Sequence, residues 1–320
     1  MFRYPLPAAV ALGVALLSPP VHAHGVAGAH MFVSTLIIDD PNVADEASLP
    51  TFMWLPRPSD TNPAPSLATA SIEFNKRITE NFGFAIRTGY QWLHTPGAKT
   101  ANGWQNLAGT LKYKAYVNPE HEFMLSVGVT REFARTGANG SNGAALGNED
   151  SSSATPTIYF GKGFGDLPIG WARAFAVTGT LGYQIADKKL KLTGFDPDSG
   201  NPTFNNGGSN QWQGGLSLQY SMRYLQSQVK DLGLPEFVNR LTPLMEVAWS
   251  SSASKPNNAS TQYLIAAGLN YTASNYAVTV EALFPGNRPS GSHPGLIAQF
   301  HLYFDDMFPN SLGKPITQWW

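Results

Sequence analysis

Hydrophobic and polar residues alternate along most of this chain. In Leu296–Phe304 one face is Leu296, Ala298, Phe300, Leu302 and Phe304, and the other is Ile297, Gln299, His301 and Tyr303. A period of two is the mark of a strand, because successive side chains leave a sheet on opposite faces. The same pattern runs through Leu67–Ile78, Phe82–Leu93, Trp104–Val117, Phe123–Glu132, Ala154–Lys162 and Trp171–Gln184. It continues through Gln211–Ser221, Leu241–Ser251, Tyr263–Tyr271 and Tyr276–Phe284, with a weak copy at Thr51–Leu55 before Pro56.

The connections alternate in length. Thr79–Asn81, Asn118–His121, Gly163–Gly170 and Thr272–Asn275 are short, whereas Ala134–Ser152 and Ile185–Asn210 are long and rich in Gly, Asn and Ser. Met222–Arg240 differs in period. Tyr224, Leu225, Val229 and Leu232 share a helical face and Gly233 suits a C-cap, so a short helix at a barrel mouth is expected. Short periplasmic turns, longer outer loops and an even strand number characterise barrels of the bacterial outer membrane. Thr51–Leu55 is then the partner that completes about twelve strands. The expected fold is all-β, a transmembrane antiparallel up-and-down barrel closed by pairing Leu296–Phe304 with Thr51–Leu55. With this orientation Trp92, Trp104, Trp212 and Trp249 fall at outer strand ends, and Phe74, Phe82, Tyr113, Phe123, Tyr220, Tyr271, Tyr276 and Phe304 at periplasmic ends. Those positions suit two interfacial aromatic belts.

Composition agrees with an envelope protein. Charged residues are 13% of 320, cysteine is absent, and the formal net charge of −1 gives no reason to expect nucleic acid as a partner. Residues 1–23 read as a signal peptide: Arg3, the apolar stretch Ala8–Leu17, then small Val21 and Ala23 before the cleavage point. That stretch is about ten residues, half of what a membrane-spanning helix needs. The remaining division is 24–50 as a periplasmic or lumenal segment, 51–304 as the barrel and 305–320 as a periplasmic tail. The aromatic end of Leu296–Phe304 resembles the signal read by the barrel-assembly machinery. Outer-membrane lipid, lipopolysaccharide and that machinery are the expected partners, with a small-molecule solute.

If the apolar faces meet lipid, the ionisable strand residues Glu73, Arg87, Lys112, Lys114, Glu132, Glu246, Glu281 and His301 point into the lumen. They are candidate pore-lining groups, or salt bridges that fill the interior. Arg131 fits the pattern poorly: it falls on the lipid face, near the outer interface, where it could snorkel or meet lipopolysaccharide phosphate. His24 and His30 are weak candidates for copper, and Asp196–Asn201 lacks the distal carboxylate of a calcium loop. No metal or cofactor is therefore expected. His94 and His293 lack an orienting partner in sequence, so no catalytic residue is assigned and no enzyme activity is expected.

Several turn and strand-end motifs resemble a family of outer-membrane barrels labelled as transporters of the phenol-degradation meta-pathway. They are Asn118-Pro-Glu-His-Glu-Phe123, Tyr159-Phe-Gly-Lys-Gly-Phe-Gly-Asp-Leu-Pro168, Phe175-Ala-Val-Thr-Gly179, Lys230-Asp-Leu-Gly-Leu-Pro235 and Asp305-Asp-Met-Phe-Pro309. The resemblance implies porin-like passage of small molecules, aromatic ones among them, through the outer membrane of a Gram-negative cell. The alternative is a non-conducting envelope barrel, filled by side chains or by residues 24–50, that acts as a binding or structural module.

Overall fold

The computed structural model describes residues 33–59, 62–138, 146, 150–197, 200, 202–205, 207–253 and 260–319. The expected signal peptide, residues 1–23, and His24 and His30 lie outside the described residues. Fifteen strands are present among those described: β1 Glu46–Pro56, β2 Ser66–Arg77, β3 Phe82–His94, β4 Ala101–Trp104, β5 Leu107–Asn118, β6 Phe123–Phe133, β7 Ser153–Gly163 and β8 Phe175–Ala186. They continue as β9 Leu192–Phe195, β10 Pro202–Phe204, β11 Gln211–Tyr220, β12 Leu241–Ser252, β13 Gln262–Thr272, β14 Tyr276–Pro285 and β15 Gly295–Tyr303.

Twelve long strands form one antiparallel ring, β1-β2-β3-β5-β6-β7-β8-β11-β12-β13-β14-β15, each paired with its neighbours in sequence. The ring closes where β1 pairs with β15, with Thr51 opposite Gln299 and Phe52 opposite Ala298. Closure leaves no unpaired sheet edge, the condition for strands to cross hydrocarbon. Short β4 continues the ladder beside the upper half of β3, ahead of β5. β9 and β10 make a separate hairpin within 185–210, where the sequence predicts only a long loop.

The pleat sorts side chains cleanly. On β14, Tyr276, Val278, Val280 and Phe284 are 36–45% exposed, whereas Ala277, Thr279, Glu281 and Leu283 are at most 2% exposed. The first set faces outward and the second faces the lumen. The outward sets of all twelve strands form a continuous apolar band, including Ile72, Ile86, Leu111, Val129, Ile158, Leu181, Leu216, Met245 and Leu269. Only lipid can cover a band of that extent. Ile158 sits mid-strand between Val127 and Leu181 and is 51% exposed. Ile158→Arg is expected to cost about 2–4 kcal/mol of folding stability in bilayers; denaturant titration in lipid vesicles measures it.

Three local features depart from the simple alternation. β1 begins at Glu46, five residues before the expected barrel boundary at 51, and carries a register shift between Ser48 and Thr51. Across it the lumenal phase passes from Ser48 to Thr51, so alternation read back from Thr51 misses the start of the strand. Trp171, expected within a strand, lies in the 3₁₀ helix Gly170–Ala174, where Arg173 donates from Nε to the Leu167 carbonyl at 2.7 Å. The connection expected as one helix at 222–240 is instead a short helix Met222–Tyr224 running into a π-turn at Leu225–Val229, then a second helix Glu236–Asn239. Gly233, at φ 65°, belongs to the extended link between them and not to a C-cap. Tyr224 and Leu225 pack on Ala174, so the two periplasmic connections brace each other. The Tyr224 hydroxyl donates to Glu122 Oε1 at 2.7 Å; burial, then that bond, pushes its phenol above the usual range.

Candidate functional site: an occluded lumen

Residues 33–45 enter the barrel instead of remaining outside it, and they form no strand. A segment without regular structure must find partners for its backbone groups, and the barrel wall supplies them. Gln219 of β11 clamps Val33 from both sides: the Val33 amide donates to Oε1 at 2.9 Å and Nε2 donates to the Val33 carbonyl at 2.8 Å. Glu246 of β12 accepts three successive amides, from Leu36 at 2.7 Å, Ile37 at 3.0 Å and Ile38 at 3.0 Å. Hydrogen bonds to a charged acceptor contribute about 1.5–3 kcal/mol each. Ser126 Oγ donates to the Pro41 carbonyl at 2.5 Å, and Lys112 Nζ donates to Asp39 at 2.9 Å and to the Asp40 carbonyl at 2.8 Å.

Apolar packing completes the seat. Leu36 and Ile37 lie against a patch on the inner wall formed by Ala266, Leu283 and Ile297, with Met53, Leu55 and Leu264 around it. At Gly215 a Cβ would stand 2.2 Å from Ile38 Cγ2, so only glycine lets the segment approach the wall there. The segment leaves the lumen at Asp45, whose side chain is fully buried. It accepts from Lys76 Nζ at 2.8 Å, Arg77 Nε at 2.8 Å and the Arg77 amide at 2.7 Å.

A chamber of about 620 Å³ remains between this segment and the walls. Among the described residues it is lined by five carboxylates, Asp39, Asp40, Glu46, Glu73 and Glu132, against two permanent cations, Arg87 and Lys112. Around them stand hydroxyl and amide groups such as Thr110, Thr130, Thr157, Thr180, Gln213 and Gln299. His301 is at the chamber wall but buried, between Ser48 Oγ at 3.2 Å from Nδ1 and Glu46 Oε2 at 3.1 Å from Nε2.

The eight candidate lining residues therefore separate by place. Glu73, Arg87, Lys112, Glu132 and His301 border the chamber. Lys112 also lies over the Tyr159 ring, 4.5 Å from its centroid. Lys114 is half-buried on the lumenal face of β5, one turn of the pleat below Lys112, and does not border the chamber. Glu246 and Glu281 are 0% and 1% exposed and sit beneath the occluding segment. Sequence reasoning overlooked Asp39, Asp40 and Asp45, and Glu46 and Ser48, the last two on the far side of the β1 register shift. Arg131 is paired in a bidentate fashion with Asp187. That ion pair satisfies its guanidinium within the fold.

No protein-family model and no curated protein sequence matches this chain. Similarity to solved structures is found. The COG4313 outer membrane channel from Pseudomonas putida F1 superposes with a TM-score of 0.53 at 9% identity, over 85% of this chain and 99% of that one. The fold is of the outer-membrane barrel type. At that identity the likeness is one of fold. The β domain of the Bordetella autotransporter BrkA aligns over 82% of this chain with a TM-score of 0.43 at 12% identity. The translocator domain of the autotransporter NalP from Neisseria meningitidis aligns over 80% with a TM-score of 0.39.

Proposed function

We propose that this chain is a bacterial outer-membrane channel for small molecules, held closed by its own residues 33–45. The observation that carries this reading is the polar chamber inside a closed barrel, stopped on one side by a segment held through hydrogen bonds and ion pairs rather than by strand pairing. Such contacts can exchange for water and solute groups as the segment moves, whereas a wall strand cannot leave without opening the barrel. The chamber combines hydroxyls and amides with an apolar patch at Leu36, Ile37, Leu55 and Leu264. Small molecules, hydrophobic or aromatic ones among them, the class that the family resemblance implies, find both kinds of contact there.

Planar-bilayer and liposome-swelling assays on the full chain and on the chain lacking residues 33–44 test the proposal; a folded shortened barrel that passes neither ions nor solutes overturns it and favours the non-conducting module. Charge balance adds a sharper expectation. With the segment displaced, the wall carboxylates Glu46, Glu73, Glu132, Glu246 and Glu281 outnumber the cations Arg87, Lys112 and Lys114, so the current is expected to be carried mainly by cations. A reversal potential under a salt gradient reports this, and Glu73→Gln with Glu132→Gln is expected to bring the selectivity towards neutrality.

A further inference from the structure

Two buried carboxyl groups lie under the occluding segment. Glu246 and Glu281 sit on β12 and β14 with β13 between them, and both point into the lumen. They reach each other because β13 offers only Ala266 and Gly268 at that level. A Cβ on Gly268 would stand 2.7 Å from Glu281 Cγ. Glu246 is registered opposite Ala266 and Glu281 opposite Gly268, two residues apart on the lumenal face of β13, which sets the two carboxyl groups side by side. Glu246 is committed to the amides of Leu36, Ile37 and Ile38. Those three N–H groups converge as they do on bound anions, so Glu246 serves them as a carboxylate. Glu281 is different: among the described residues neither of its oxygens has a donor.

Two ionised carboxylates in contact, both out of water and with no cation between them, repel strongly. A single proton removes the conflict. Neutral Glu281 has an O–H to donate to Glu246, which then accepts four hydrogen bonds and keeps its charge for the occluding segment. The groups registered beside the pair on adjoining strands are neutral: Ser217 on β11, Ala266 and Gly268 on β13, and Ile297 on β15. The nearest charges on the other packed elements are engaged elsewhere. Asp39 of the occluding segment pairs with Lys112, and His301 of β15 pairs with Glu46. The remaining charges of that segment are Asp40, which stands towards Lys112 and Glu46, and Asp45, which is paired with Lys76 and Arg77.

We propose that Glu246 and Glu281 form a proton-binding site that latches residues 33–45 in the lumen. The proton rests on Glu281 and is shared with Glu246 while the channel is closed. Removing it to hydroxide, which becomes water, leaves two adjacent buried anions whose repulsion is relieved only by admitting water to the pair, and that water competes with the three amides for Glu246. The proposal rests on residues 33–45 being the occluding segment, and its test does not depend on conduction.

The chain has no cysteine, so Ile37→Cys is a single reporter beneath the latch. In the full chain in lipid vesicles, its reaction with an impermeant maleimide is followed from neutral to alkaline pH. Each rate is normalised to a cysteine at exposed Thr193, which cancels the intrinsic pH dependence of the thiol. The reporter is expected to be protected at neutral pH and to gain labelling several-fold as pH rises. Glu281→Gln keeps a donor towards Glu246 and is expected to hold protection over the whole range, whereas Glu246→Gln is expected to label at neutral pH. A pH-independent reporter in the otherwise native chain overturns the latch, and so does a Glu281→Gln profile identical to the native one. Should a variant fail to fold, seen as loss of heat-modifiable migration, the native pH profile alone still decides. If the profile appears but the shortened barrel passes no current, the channel reading fails and the latch stands.

Discussion

Asp45→Ala is expected to lower stability by about 3–5 kcal/mol, the cost of stranding a buried cation by deleting its partner. Asp45 is fully buried and Lys76 is 3% exposed, so no water replaces the lost carboxylate. The damage spreads because Lys76 is a hub. Its Nζ also donates to the carbonyls of Leu312 at 2.8 Å and Lys314 at 2.6 Å, while Arg77 donates to the Gly313 carbonyl at 2.8 Å. The Asp45 carbonyl accepts from the Phe304 amide at 2.8 Å. One carboxylate thus ties together the root of the occluding segment, the end of β2 and the tail after β15. The tail is held further by Thr317, whose amide donates to the Ile78 carbonyl at 3.1 Å, and by Gln318 to Glu80 at 3.0 Å. Denaturant unfolding in lipid should show a lower midpoint, and chymotrypsin should cut at Phe308 and Leu312 sooner than in the native chain. An unchanged midpoint with an unchanged digestion pattern would mean that Lys76 finds another partner.

Deleting residues 33–44 while keeping Asp45 is expected to leave the barrel closed and to open its lumen. Every wall strand keeps both neighbours without that segment, since residues 33–44 contribute no ladder hydrogen bond. What they contribute is volume and cross-links in the lower lumen. A barrel of eight strands is just wide enough for side chains to fill its interior, and the interior widens roughly linearly with strand number, so about twelve strands leave a gap that side chains alone do not close. Liposome swelling with small sugars should accelerate several-fold relative to the full chain. Lys112 loses Asp39 and Glu246 loses its three amides in the same deletion, and both then face water in the open pore. A barrel that still excludes sugars would place the barrier in the wall side chains.

The alternation of side chains made the ring of strands readable, because lipid on one side and a polar lumen on the other impose a strict two-residue period. β15, β14 and β13 were legible nearly to their ends for this reason. The same parity sent Glu73, Arg87, Lys112, Glu132, Glu246, Glu281 and His301 to the inner face. Where the period breaks, legibility stops. The register shift between Ser48 and Thr51 hid the first residues of β1 along with Glu46 and Ser48. Trp171 continued the pattern of β8 on paper, yet the turn ending in Gly170 folds it into a 3₁₀ helix against the neighbouring connection. The occluding segment was least legible of all. It is held mostly through its own amides and carbonyls, which carry no side-chain signature, by Gln219 and Glu246 roughly two hundred positions away. That Glu246 and Glu281 are a contacting pair, separated by one intervening strand, likewise follows only from the ring and from Gly268.

The most direct test of the closed-channel account is single-channel conductance, recorded side by side for the full chain and for the chain lacking residues 33–44. Small or rare openings are expected for the full chain, and a steady conductance several-fold larger for the shortened one. Equal conductance in the two, with both barrels folded, would contradict it.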